Sequence, residues 1–325
     1  MKYSIIILLL LVFTFEIKAQ STNRNFHEKR VAFTIDDLPF SLNYLPWNEK
    51  REHVQKFLGL LEEYKIQSTV FLIGSYVTDE NWEIITDFID KGHQLGNHTY
   101  FHSGTNGVSA KQYMIDVLLC DKIMSIIKDA HSKNRIPKLG VDVHQKAIFD
   151  VHNNFEKYLD NKNRSSEKIY FRYPYLKRGN SRMKRDSIYN FLNETNHIIA
   201  PVSITSHDWK FADGFFEAYK LNDQAEMDRI GDAYVNHVIS QVKESFKHSR
   251  RELGLAIDHV FLMHMNLINV FHFDRILKWF AENDWEFITL EEAVQDRFYS
   301  WEDSYHGSEG IPWLYRAKKI VNSLP

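Results

Sequence analysis

Seven short strand-like runs recur along the chain, each followed by a stretch with helical spacing. The runs are Val31–Asp36, Thr69–Ile73, His93–Asn97, Ile169–Phe171, Ile198–Ile204, Val260–Met263 and Trp285–Thr289. Most are apolar, and four of them end at or just before Asp36, Gly74, His98 and His264, polar or breaking residues that can close a buried strand. Between them, apolar spacing and end signals predict helices. These cover Trp47–Lys65, Asn81–Asp90, Ser109–Ala130, Ser181–Asn193, Gln224–Lys247, Phe273–Glu282 and Leu290–Arg297. Strand followed by helix, repeated without a break, implies a parallel sheet covered by helices. An open sheet and a barrel both satisfy that pattern. An open sheet gathers its chemistry at one switch point, whereas a barrel spreads it over the C-terminal ends of several strands. Asp36-Asp37, His98, Arg172, Asp208 and His264 each stand at such an end, which favours a barrel.

The first residues do not belong to that pattern. Met1-Lys2-Tyr3 precedes an apolar run from Ile5 to Phe15 and then Ala19-Gln20. A basic start, a short apolar segment and a small residue read as a secretory signal, about 1–19. The run is too short to span a bilayer well, which takes about 20 residues. An exported protein is expected, periplasmic or secreted, with no stable membrane insertion once the signal is removed. Residues 20–325 then form a single domain. A polar stretch around 131–168 reads as an insertion, with a helix from Gln145 to Leu159. The formal net charge of −3 becomes one unit more negative without Lys2, Glu16 and Lys18, so no nucleic-acid partner is expected. Cys120 is the sole cysteine, which rules out an intrachain disulfide; its apolar neighbours make it a buried thiol. Oligomeric state is not readable.

The chemistry-bearing residues start with Asp36 and Asp37. Neighbouring side chains on a strand point to opposite faces, so two adjacent acids can serve one site only if the chain leaves the strand there. Leu38-Pro39 suggests that it does. One Asp is read as a metal ligand and the other as a proton carrier. His98 and His102 lie four apart, a spacing that puts both imidazoles on one face of a helical turn. With Asp37 they make a His-His-Asp set with an open position. That set suits zinc, with cobalt, manganese or nickel as alternatives. Arg172 is read as a bidentate partner for a carboxylate, or else as an ordinary strand-terminating turn. Asp208 could be a simple cap, and His264, after a fully apolar run, a core histidine with one hydrogen bond.

Taken in order, Thr34-Ile35-Asp36-Asp37, Gly96-Asn97-His98-Thr99-Tyr100-Phe101-His102, Arg172-Tyr173-Pro174-Tyr175, Asp208-Trp209 and Phe261-Leu262-Met263-His264 resemble the polysaccharide deacetylase (NodB-homology) family of carbohydrate esterases. The resemblance implies a deformed (β/α) barrel and a divalent metal, usually zinc, held by Asp37, His98 and His102. It implies Asp36 as the base that activates the attacking water, with Arg172 orienting it. It implies Asp208 tuning His264, the acid toward the leaving group. Tyr175 would offer a backbone N–H to the oxyanion, and Trp209 would line the acetyl pocket. The expected reaction is deacetylation of an N-acetylated glycan of the chitin or peptidoglycan type. O-acetylated glycans such as xylan, or a small non-sugar amide, are the alternatives.

Two positions depart from the family pattern. Leu38 stands where a glycine commonly follows the Asp pair, and Thr205 stands where another Asp often precedes Asp208. Other classes of function remain to be weighed. A non-catalytic glycan binder would not need the acid and base complement, and a two-carboxylate glycosidase using Asp36 and Asp208 leaves the histidines unexplained. Tyr44, Trp47, Tyr100 and Trp313 could stack on sugar rings, although core packing explains each of them as well.

Overall fold

The computed structural model describes residues 29–41, 45–160 and 167–321. The signal segment and Tyr44 lie outside them. The strands are β1 (Arg30–Leu38), β2 (Thr69–Leu72), β3 (Gln94–Asn97), β4 (Ile169–Phe171), β5 (His197–Ile199), β6 (Ile204–Thr205), β7 (Asp258–His264) and β8 (Glu286–Ile288). Helices α1 (Trp47–Glu63), α2 (Trp82–Asp90), α3 (Ala110–Ser132), α4 (Val141–Asn153), α5 (Phe155–Leu159) and α6 (Arg182–Glu194) fall in the first part. Then come α7 (Trp209–Lys220), α8 (Gln224–Glu252), α9 (Leu267–Glu282), α10 (Leu290–Ala293) and α11 (Trp313–Val321). The strands form one sheet in the order β5-β4-β3-β2-β1-β7-β6, with β8 also on β1. Every pairing is parallel. This is the deformed (β/α) barrel expected, curled but not closed.

The gap in the barrel has a local cause. The expected fifth strand, Ile198–Ile204, is two strands: β5 pairs with β4 and β6 pairs with β7. Between them lies Ala200-Pro201-Val202, and a proline has no N–H to give a ladder. Ala200 N–H still donates to Phe171 O at 2.8 Å and Ser203 N–H donates to Val260 O at 3.0 Å. The chain thus passes from one free edge of the sheet to the other across the proline.

β1 is the centre. β7 pairs along it from Arg30 to Asp36. β8 at Arg30–Ala32 and β2 at Thr34–Leu38 share its opposite edge. Alternation then sorts its side chains. Phe33 faces the helices and packs edge-on against Phe273 and Phe280 of α9. Ala32 faces the barrel interior with Phe71, Tyr170, Val260 and Ile288. Gly96 permits that interior to close, because a Cβ there would lie 2.7 Å from the Phe71 ring.

Two expected helices change their bounds, and two further helices are present. The helix expected from Gln145 begins at Val141 and breaks at Asn154. The helix expected from Phe273 begins at Leu267, capped by the Asn266 side chain accepting from Asn269 N–H. α7 and α11 were not anticipated. In α7 the apolar side is short, with Phe215, Phe216 and Ala218 buried. Cys120 is buried on α3, its thiol donating to Leu72 O at 3.2 Å.

Candidate active site

Asp36 and His264 are register partners across β1 and β7. Side chains at one register position of a parallel pair share a face, so the ladder itself sets the two groups side by side at the strand ends. Asp37 joins them by a change of backbone. Its φ is 66°, and the β1–β2 register shifts between Ile35 and Leu38. The left-handed residue at a strand irregularity breaks the strict alternation, and both carboxylates can serve one site. This also accounts for Leu38. The left-handed position is Asp37 itself, and Leu38 is fully buried, paired with Leu72. No glycine is required after the pair.

His98 and His102 follow β3, but on an irregular bend rather than a helical turn. Thr99 and His102 both have left-handed φ, 64° and 55°. Asp116 of α3 holds the bend: its Oδ1 accepts from Tyr100 N–H at 3.0 Å and Phe101 N–H at 2.7 Å. Asn97 adds its Oδ1 to Thr99 N–H at 2.8 Å. Asp116 was missed in the sequence reading. A lone carboxylate inside the apolar run Tyr113–Leu118 was the available signal, since a buried charge needs partners.

Asp37, His98 and His102 are the one group of at least three His, Cys, Asp or Glu among the described residues with donor atoms close enough to share an ion. Asp37 Oδ1 lies 3.5 Å from His98 Nε2 and 3.4 Å from His102 Nε2. Bonds of about 2.0–2.1 Å at a tetrahedral angle put two ligand atoms about 3.3 Å apart, so the donor set fits zinc. The tautomer fits too. His98 Nδ1 is 2.8 Å from Arg172 O, and a carbonyl only accepts, so Nδ1 carries the hydrogen and Nε2 offers its lone pair. Asp37 Oδ1 has no hydrogen-bond partner among the described residues, as a ligand atom should not.

Asp36 is buried, and its Oδ1 has no hydrogen-bond partner among the described residues. Arg172 does not grip it as a fork. One nitrogen, Nη1, is 3.7 Å from Asp36 Oδ2, while Nη2 donates to Thr34 Oγ1 at 2.9 Å. The guanidinium lies over the Phe71 ring, 4.7 Å from its centroid. Thr34 passes its own hydrogen to Phe261 O. Burial raises the Asp36 pKa, outweighing the lowering by Arg172, His264 and His102. Arg172 favours the ionised acid, but by less than burial disfavours it.

Asp208 is not a cap. It precedes α7 without a side-chain cap bond and is fully buried. Its Oδ1 meets His264 Nδ1 at 2.7 Å; its Oδ2 accepts from His264 N–H at 2.7 Å and from Asn269 Nδ2 at 2.5 Å. Asn269 is in turn bonded to Tyr234 Oη–H. These donors replace the support that Thr205 does not give. Burial pushes the His264 pKa down, but Asp208's charge and hydrogen bond, with smaller help from Asp37 and Asp36, outweigh it and raise it to about 10. Asp208 is held below its usual range by the same pairing, against its burial.

A stability prediction follows from this pair. With His264 at about 10 when folded and about 6.5 when unfolded, its charge stabilises the fold fully below about pH 6.5. That contribution is lost as pH rises through about 10. Urea midpoints of metal-free protein should therefore fall from pH 7 to 10, and less steeply in His264→Gln. Equal slopes would contradict the pairing.

Tyr175 and Trp209 are exposed. Tyr175 stands beside the metal residues, its ring 4.6 Å from that of His102. Its φ is 56°, and Gly310 packs against its carbonyl so tightly that a Cβ there would lie 1.7 Å from the oxygen. Trp209 instead contacts His207, which is bonded to His237 of α8. Tyr100 and Trp313 are core residues, and Trp47 is partly buried under Lys50.

A parallel barrel with an Asp-His-His donor set at its strand ends defines the class: a (β/α) protein built around a candidate divalent-metal centre. The chain belongs to the polysaccharide deacetylase family, whose profile matches residues 23–188. Two peptidoglycan-N-acetylglucosamine deacetylases of Bacillus cereus are similar. One is 26% identical over 134 residues, 40% of this chain and 43% of the relative. The other is 33% identical over 92 residues, 28% of this chain and 38% of the relative. The matches thus span about two-fifths of those relatives' length. Among solved structures, the peptidoglycan deacetylase PdaC of Bacillus subtilis is 18% identical, with TM-score 0.45, covering 83% of this chain and 93% of that one. A family 4 acetyl xylan esterase of Clostridium thermocellum, solved with a cobalt ion, is 18% identical, with TM-score 0.46 and coverage of 82% and 91%. A family 4 pseudoenzyme of Bacillus anthracis is 15% identical, with TM-score 0.49 and coverage of 82% and 66%.

Proposed function

We propose that the protein is a metal-dependent deacetylase acting on N-acetylated glycan of the peptidoglycan or chitin type, outside the cytoplasm. The observation that carries this is the joint placement of three convergent donors, Asp37, His98 and His102, beside an acid–base pair fixed by strand register. The bacterial relatives that share part of the sequence are peptidoglycan deacetylases, which favours the amide over the ester.

Amide hydrolysis needs an activated water, a stabilised oxyanion and a protonated leaving nitrogen. Zinc held by Asp37, His98 and His102 would supply Lewis acidity toward both water and the acetyl carbonyl. Asp36 is the base. Its raised pKa makes it a better proton acceptor than a free aspartate, and a base works best when its pKa approaches the working pH. Arg172 positions it, anchored by Thr34 and Phe71. His264 is the acid. Its Nδ1–H is committed to Asp208, so Nε2–H faces the leaving amine. Different surroundings let the two groups divide the base and acid roles within one site. Tyr175, whose ring stands beside that of His102, offers its backbone N–H to the oxyanion.

Acetate release from N-acetylglucosamine oligomers and peptidoglycan tests this. Release should stop on chelation and return with zinc. New reducing ends without acetate would point instead to a glycosidase, and glycan binding without release to a non-catalytic protein.

A further inference from the structure

We infer that His144, carried by the insertion, is a positioning residue for the metal-binding bend. The inference rests on the metal reading above. α4 lies across the segment that follows β2, and three bonds join the insertion to the core at this place. Leu139 N–H donates to Asp79 Oδ1 at 2.5 Å. His144 Nε2 lies 2.9 Å from Val77 O, and His144 Nδ1 lies 2.8 Å from Tyr100 Oη. A carbonyl oxygen only accepts, so Nε2 carries the hydrogen. In the neutral ring Nδ1 is then the acceptor for the Tyr100 hydroxyl.

Tyr100 is the middle residue of His98-Thr99-Tyr100-Phe101-His102 and is buried. Its ring packs on Gly74, where a Cβ would come within 2.8 Å of it. Asp116 and Asn97 fix the backbone of the bend, but neither touches the Tyr100 hydroxyl. The His144 bond fixes the far end of that ring. The bend holds left-handed residues at Thr99 and His102, conformations that persist only where the surroundings over-determine them. Through Tyr100, the insertion contributes to the spacing of the two histidine ligands. A brace on the metal loop is thus a role for a stretch that the sequence leaves without one.

The test is cobalt(II) titration of the full chain, followed by visible absorption, for wild type, His144→Phe, Tyr100→Phe, the double variant and His144→Gln. Outer partners of metal ligands typically cost 10–100-fold in affinity when removed. For this more distant brace, each single variant is expected to bind about 10-fold more weakly. The double variant should be no weaker than the worse single one, because both remove the same bond. Gln carries one donor and one acceptor, and His144→Gln should recover most of the affinity. Tyr100→Phe loses only an oxygen and keeps the test valid if His144→Phe does not fold. Variants that lose thermal stability but bind cobalt as tightly as wild type overturn the inference and leave the metal reading standing. A wild type that binds no ion overturns both.

Discussion

Asp36→Asn is expected to lower acetate release by about 10²–10⁴-fold, the usual cost of removing a general base. Asn keeps the shape of Asp36 and cannot accept the proton. The metal donors are untouched, so bound metal should be unchanged. Some stability should be lost as well. The buried Arg172 guanidinium has Asp36 as its 3.7 Å carboxylate neighbour, and a buried charge without its partner is costly. Steady-state rates with metal content measured on the same samples check both halves. Full activity in Asp36→Asn would remove this residue from the chemistry.

Asp208→Ala should have the second large effect, on stability and on pH dependence together. The carboxylate is fully buried and accepts two hydrogen bonds from His264 and one from Asn269. Breaking a buried ion pair by removing one partner typically costs about 3–5 kcal/mol. The His264 pKa, raised to about 10 chiefly by Asp208, should fall, because burial is then opposed only by the weaker pull of Asp37 and Asp36. The acid form is lost at neutral pH, and the alkaline limb of activity should move down by several pH units. Urea unfolding and a pH–rate profile measure the two parts. A variant with the wild-type alkaline limb would show that Asp208 does not set the protonation of His264.

Much of the fold is legible because strand and helix signals alternate in short, well-punctuated units. Ser109 at the start of α3 closes a capping box with Gln112, and the apolar run Val260–Met263 falls inside β7. Closure of the sheet is not legible. Ile198–Ile204 has the composition of one strand, and only the different partners of its two halves show that it is two. Pro201 was the local warning.

The site divides in the same way. The residues expected to act are identifiable because most are polar groups at or just beyond the end of a strand-like run. Those that hold them in place are not, because their relevance depends on contacts far along the chain. Asn269 lies before the helix that the sequence predicts over Phe273–Glu282, and its role shows only once α9 is packed behind Asp208. His144 lies 44 positions from Tyr100. The sequence puts the turn that lets the adjacent acids divide their labour at Leu38-Pro39. The structure places the change one residue earlier, in the left-handed backbone of Asp37.

The most direct test of that division is metal content and zinc affinity measured side by side for wild type, Asp36→Asn and Asp37→Asn. Wild type and Asp36→Asn should each hold about one zinc per chain, as one three-donor site requires. Asp37→Asn should lose it, since the carboxylate that both histidines face is then neutral. Loss of zinc from Asp36→Asn with retention in Asp37→Asn would reverse the assignment, and a wild type without zinc affinity would contradict the metal centre itself.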